Sequence, residues 1–486
     1  MQRHVSSERR PWLRTGIYTF MTIVVTVVVS LLLLVVLGYQ FNEKDGKLEQ
    51  GGLLQLYSIP TGAKITLNQV VLGSSTNTKR TVDAGSQFVT YEKQGYRNWQ
   101  KSITVGSGQV AWLSYARLIP RTISPETMRS YTTLSGAMAS NNRNYMIVQA
   151  KADQPLYTLV DVQNDTPQYK TIVLPAEAYT APTAGKKQTF TLESWSPDDQ
   201  SVLIKHTYAT NKVEWLLLDR ESPEKSINLS STYVISPTKV VFAGGGHSLL
   251  FVQIGGIVQR LNLDEQTLSR PLVTNVAHYS IYDEKTIVYT TRPDSASQVS
   301  VGYAAIDIAE PQTIFTYPAG KKPLYATMSR YFDQTYVGVV YDTKMTVYVG
   351  TLPTPDRKAE MVEFGSHMLS NDPTEYGTYG IGRFMVATLP NGYATYDLEL
   401  KKYDETSWKY ATSKQSRPLH WLDNYMLWSD NGGVLRFYEF DGANQQDIMP
   451  AAEGFATVVT ANNKYVYNIA KSETGYVLQR ALLLLP

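Results

Sequence analysis

From Ile17 to Leu37 the chain runs for twenty-one residues without a charged side chain, and only Tyr18, Thr19, Thr22, Thr26 and Ser30 interrupt it. At about 1.5 Å per residue a helix of this length covers roughly 31 Å, the depth of a bilayer's hydrocarbon core. No polar face survives between Ile23 and Leu37, so a half-solvated core helix is a poor solution for the segment. Residues 17–37 are therefore predicted to be a transmembrane helix, with the lipid bilayer as the first partner. A cleavable signal peptide would carry a shorter apolar region, about 7 to 15 residues, followed by small side chains. Gly38, Tyr39, Gln40, Phe41 and Asn42 provide no such site. The stretch Arg9, Arg10, Pro11, Trp12, Leu13 loosely resembles a twin-arginine export signal, but the apolar run behind it is too long.

The flanks set the expected orientation. Arg3, Arg9, Arg10 and Arg14 face only Glu8 in residues 1–16, whereas Glu43, Asp45 and Glu49 offset Lys44 and Lys47 on the other side. The positive-inside bias then makes residues 1–16 a cytoplasmic tail and everything after the helix extracytoplasmic, a single-pass protein of the cell membrane. Sixteen cytoplasmic residues hold no effector domain, so signalling through the helix would need a membrane partner. The formal net charge of +2 owes its sign to that tail, and no stripe of Lys and Arg follows it. A phosphate-binding surface needs such a stripe, so nucleic acid is not expected as a partner.

The chain of 486 residues has no cysteine, which removes disulfides, thiolate zinc sites and cysteine nucleophiles together. With 18% charged residues, 34 Tyr and 8 Trp it has enough apolar surface to fold on core packing alone. After a polar linker, residues 38–51, the runs LLQLYSI, AKITLN, SQFVTYEK, KSITV and AWLSYARLI alternate apolar and polar side chains. Residues 52–120 are thus expected to form a small all-β domain of about five strands. The turn Pro60, Thr61, Gly62, Ala63 has a Gly where positive φ is needed. The order Ile59-Pro60-Thr61-Gly62-Ala63-Lys64-Ile65, Asp83-Ala84-Gly85, then Lys93-Gln94-Gly95-Tyr96-Arg97 resembles the PEGA domain, with Thr61 in place of the family's Glu. The resemblance covers about 70 residues and implies an extracytoplasmic β-sandwich of bacterial and archaeal surface proteins without an active site of its own.

In residues 121–486 strand-like units restart near Leu134, Thr189, Val240, His278, Tyr325, Glu375, His420 and Phe455. Each reads as three or four strands, with an Asp after the third at Asp219, Asp264, Asp307 and Asp397. A repeat of this length is the grammar of propeller blades and predicts seven or eight of them. The segment Trp195-Ser196-Pro197-Asp198-Asp199 resembles the WSPDG turn of TolB-like and WD40-like propellers, with Asp199 in place of Gly. A pair of β-sandwiches is the competing architecture. Closure is expected where a segment within residues 121–134 completes the last blade. The fold class is an all-β ectodomain, a PEGA-like β-sandwich followed by a propeller, behind one transmembrane helix.

The chemistry is sparse. His4, His206, His247, His278, His367 and His420 have no metal-ligand spacing. Gly244, Gly245, Gly246 and His247 precede a strand where a phosphate loop would precede a helix. Ser222 to Lys225 matches SxxK and Ser429 to Asn431 matches SDN, yet KTG is missing and Ser222 falls in a turn. The aromatic crowd Trp408, Tyr410, Trp421, Tyr425, Trp428, Phe437 and Tyr438 can stack on sugars but suits inter-blade packing better. No catalytic, cofactor-binding or metal-ligating residue is assigned, and no cofactor is expected. The reading is a non-enzymatic binding or scaffolding protein of the cell envelope whose partner is an envelope protein or glycan. The alternative is an envelope glycan or peptide hydrolase with polar groups gathered in the propeller funnel.

Overall fold

The computed structural model describes residues 11–36, 39–42, 47–182, 186–209, 212–410 and 419–486. Arg3, Arg9 and Arg10 of the tail, His4, Leu37 and the charges at 43–45 lie outside the described residues. The chain divides into two compact units, Met1–Arg121 and Thr122–Pro486.

In the first unit a helix spans Pro11–Val36. Its window Thr15–Leu34 has a mean hydropathy of 2.5 and buries nothing within the structure, so it is long and apolar enough to cross a membrane. Three of its polar residues are satisfied locally: the hydroxyls of Thr19, Thr22 and Thr26 each donate to the carbonyl four residues back, at 2.9 Å. That removes the cost of an unpaired hydroxyl in hydrocarbon. In the segment read as a linker, Tyr39–Asn42 pairs antiparallel with Lys47–Gln50.

The same unit holds a two-sheet sandwich. Gly52–Ile59 lies between antiparallel Thr78–Val82 and parallel Val110–Arg117. The other sheet runs Val70–Ser75, Lys64–Leu67, Gly85–Glu92, Trp99–Val105. This makes seven strands where the sequence suggested about five, because Val70–Ser75 and Thr78–Val82 are too exposed to alternate. Leu54 and Leu56 of one sheet and Ile65, Val89 and Tyr91 of the other are fully buried. Gly62 has φ +78°, as its turn requires.

Among the described residues, the second unit contains eight four-stranded antiparallel sheets in sequence order. Their first strands are Gly136–Ala139, Thr189–Trp195, Lys239–Phe242, Val276–Ile281, Tyr325–Tyr331, Glu375–Tyr379, His420–Trp421 and Val458–Val459. We number the blades 1 to 8 in that order. Blade 8 takes its fourth strand from the start of the unit: Glu126–Tyr131 pairs with Gly475–Leu482. The side chain of Arg480 holds Glu126 through two nitrogens at 3.0 and 2.9 Å. Met146, Val148 and Val160 of blade 1 share a buried cluster with Val458, Tyr467 and Ile469 of blade 8, so the ring is closed. It is an eight-bladed β-propeller.

The middle strands explain why the sequence folds this way. Phe384–Leu389 and Gly392–Asp397 are buried at every position, and continuous apolar runs of this kind fit strands covered on both faces. Where large side chains cross between blades, glycine makes room: a Cβ on Gly338 would stand 2.2 Å from the Tyr376 hydroxyl of the next blade. The recurring acid after the third strand closes a turn. Asp219 Oδ1 accepts the Glu221 and Ser222 amides at 2.9 and 2.8 Å, and Asp397 Oδ1 accepts those of Glu399 and Leu400. In blade 3 Asn262 does this work in place of Asp264, whose amide it receives at 3.1 Å. These are Asx turns, used because a short side-chain oxygen mimics a backbone acceptor.

Candidate functional site: the central channel

The first strands of the blades line two cavities. One, of about 560 Å³, is bounded by residues of blades 1, 6, 7 and 8, including Asn141, Arg143, Tyr379, Trp421 and Phe455. The other, of about 540 Å³, lies among blades 3 to 6 and is lined by Lys239, His278, Tyr279, Tyr325, Thr327 and Glu375, with Ser280 and Thr374 beside them. Lys239, Tyr325 and Glu375 each open the first strand of their blade, so ring symmetry brings them to one mouth of the channel.

The electrostatics of this mouth follow from its partial desolvation. Lys239 Nζ lies 4.6 Å from the Tyr279 ring centre, a cation–π contact. Withdrawal from water lowers the Lys239 ammonium pKa, and the Glu375 charge opposes that shift. His278 is pushed down by the same desolvation and then by Lys239, both of which favour the neutral imidazole. Its ring sits 4.6 Å from that of Tyr325. The phenol of Tyr325 is raised by burial and by Asp372 and Glu375. Among the lining residues Glu375 is the one carboxylate, and Ser280 Oγ donates to the Ala326 carbonyl at 3.2 Å. The wall is thus polar, neither a pair of acids nor a bare glycine surface.

The other titratable groups that drew attention serve the fold. His206 and Glu214 face each other across a hairpin, with Nδ1 2.8 Å from Oε1. The Glu214 carboxylate also accepts the Thr180 amide and hydroxyl at 2.7 and 2.8 Å and the Asn228 amide at 2.9 Å. Its burial would raise its pKa, but these bonds, led by His206, hold it down to about 2. The His206 ring is stacked on Phe190 at 4.2 Å, with no room for a substrate. Asp198 in the WSPDD turn accepts from Ser196 Oγ at 2.6 Å and reaches His247 Nδ1 at 2.7 Å, tying blade 2 to the glycine turn of blade 3. That turn is a docking point and not a phosphate cradle. Asp199 has φ +59°, the conformation for which the usual residue there is Gly.

Arg383 holds Asp397 through Nε at 2.9 Å and Nη2 at 2.6 Å, and Glu399 through Nη1 at 2.5 Å. Ser222 and Ser429 stand on blades 2 and 7 and are not brought together; Asp430 Oδ2 accepts the Gly454 amide at 2.8 Å. His367 stacks on Tyr403 and His420 on Trp428, both at 4.4 Å. Phe437 and Tyr438 are buried, while Trp421 and Trp428 both line the first cavity, Trp421 stacked on Tyr379 at 5.0 Å. No group of three His, Asp or Glu side chains among the described residues is placed to hold a metal ion. Sequence reasoning missed Lys239 and Glu375 as a pair, since nothing in their separation along the chain marks them.

The molecule is thus a β-propeller protein with a small β-sandwich and an apolar N-terminal helix. Residues 52–118 of the chain match the PEGA domain family. No curated protein matches the chain in sequence. Solved structures that it resembles include oligogalacturonate lyase from Vibrio parahaemolyticus, at 13% identity over 69% of this chain and 99% of that one, TM-score 0.38. Kluyveromyces lactis Hsv2 matches at 9% identity over 72% and 99%, TM-score 0.38. Porphyromonas gingivalis dipeptidyl peptidase 4 matches at 10% identity over 72% of this chain and 58% of that one, TM-score 0.46. The sheet topology, and not these distant likenesses, defines the fold.

Proposed function

We propose that this chain is a single-pass, membrane-anchored, extracytoplasmic binding or scaffolding protein of the cell envelope, without an enzymatic reaction of its own. The N-terminal helix is the anchor, residues 1–16 are cytoplasmic, and the PEGA domain and propeller stand outside, where an envelope protein or glycan is the partner. The observation that carries this reading is how the charged groups are used. The pairs with the look of catalytic machinery, His206 with Glu214, Asp198 with His247 and Arg383 with Asp397, are spent on holding blades and turns. The rigid channel meanwhile presents side chains from four neighbouring blades to a cavity of ligand size. Binding surfaces are commonly made this way, by loops and strand ends on a stiff scaffold.

The test is photo-crosslinking on intact cells. A photoreactive amino acid at Tyr325 should capture a defined envelope component, identified by mass spectrometry, whereas the same group at exposed Lys344 should not. Equal and diffuse capture from both positions contradicts the reading.

A further inference from the structure

The channel mouth between blades 3 and 6 is built for more than passive exposure. Among the described residues, the side chains of Lys239 and Glu375 have neither a hydrogen bond nor an ion pair, although Glu375 acts on Lys239 electrostatically. Both side chains are solvent-exposed at the opening, whereas the buried guanidinium of Arg383 is closely paired. Here a cation and an anion stand on blades 3 and 6, with blades 4 and 5 between them, beyond salt-bridge reach and facing one cavity. Two residues of the same wall carry hydroxyls without partners. Tyr279 is 7% exposed and Thr327 is 1% exposed, and neither hydroxyl finds an acceptor or donor. Buried polar groups are nearly always satisfied, so each unsatisfied one calls for an explanation. The rings of Tyr279, His278 and Tyr325 complete the wall.

We propose that this mouth binds a short peptide with free termini, its carboxylate at Lys239 and its ammonium group at Glu375. A ligand carrying both charges neutralises both residues at once, which a purely anionic or cationic ligand cannot. The span across two intervening blades suits charges set apart by a peptide backbone better than the adjacent charges of one amino acid. The Tyr279 and Thr327 hydroxyl oxygens are closed off from the cavity, so the peptide is held by its two termini and not by them. At about 540 Å³ the cavity lies within the range of small-ligand sites. The inference rests on the propeller being a binding module and names what its channel takes.

The experiment is calorimetric titration of the full chain in detergent with trialanine, N-acetyl-trialanine and trialanine amide. Free trialanine should bind at least tenfold more tightly than either blocked form. Glu375→Gln should abolish the preference for a free amine and keep that for a free carboxylate, and Lys239→Met should do the reverse. Both side chains face the cavity, so circular dichroism of the variants should match the parent. The double exchange Lys239→Glu with Glu375→Lys should recover binding of free trialanine. Failure to saturate with trialanine, or affinity indifferent to blocking of the termini, overturns the site. Release of free alanine from trialanine would leave the site standing and refute the non-enzymatic reading instead.

Discussion

Replacing Glu214 with Gln should loosen blade 2 in a way that depends on pH. The carboxylate is 4% exposed and accepts four bonds, from His206, from Thr180 twice and from Asn228. It thereby fixes both the connection that enters blade 2 and the short outer strand Ile227–Asn228. Gln keeps one oxygen but turns an NH₂ toward the Asn228 amide, a donor against a donor. The folded pKa is lowered from 4.5 to about 2. A depressed carboxylate contributes stability that is fully present above the unfolded value and fades as pH falls toward the folded one. The shift corresponds to about 3 kcal/mol at pH 7, of which about 2 kcal/mol is gone at pH 3. Tryptophan fluorescence in urea should therefore show Glu214→Gln less stable by about 3 kcal/mol at pH 7, with the gap shrinking to about 1 kcal/mol at pH 3. A gap that is absent at pH 7, or that stays constant between the two pH values, refutes the reasoning.

Three further outcomes follow from packing. Gly338→Ala drives a Cβ to 2.2 Å from the Tyr376 hydroxyl and 2.5 Å from the Met385 sulfur, both buried, and should cost about 1 to 3 kcal/mol in urea unfolding. Asp199→Gly relieves a left-handed φ but also removes the carboxylate that accepts the Asn142 amide of blade 1 at 3.4 Å, so the two effects oppose and the stability read from urea unfolding should move by less than about 1 kcal/mol. Deleting Ala481–Pro486 removes Ala481 and Leu482 from their pairing with Val466 and Tyr465 and takes away buried Leu483. Thermal unfolding of the whole propeller should shift down, and an unchanged transition would show that the ring does not depend on this end.

The repeat was legible because propeller blades write their geometry into the chain. Unit starts read near Leu134, Val240, His278 and Phe455 fall within three residues of the observed first strands at Gly136, Lys239, Val276 and Val458. The blade count stayed open in the sequence because the last blade borrows Glu126–Tyr131 from the other end of the unit. His206 and Glu214 were detectable in principle, as polar residues set opposite each other in otherwise apolar strands of one hairpin. Lys239 and Glu375 were not, because only closure of the ring brings strand starts from separate blades to one opening. The aromatic residues around blade 7 suit inter-blade packing better than binding already in the sequence, and Trp408 packs edge-on against buried Tyr438, since large flat rings fill the widening space between blades.

Anchoring and sidedness carry the whole account, and the absence of native cysteine makes them directly measurable. Ser7→Cys and Ser295→Cys variants of the full chain should be treated in spheroplasts with a membrane-impermeant maleimide, and the membranes then washed with alkali. The account predicts labelling at position 295 without permeabilisation, labelling at position 7 only after it, and retention of both variants in the washed membrane. The opposite labelling pattern, or a chain released into the medium without its apolar helix, would contradict it.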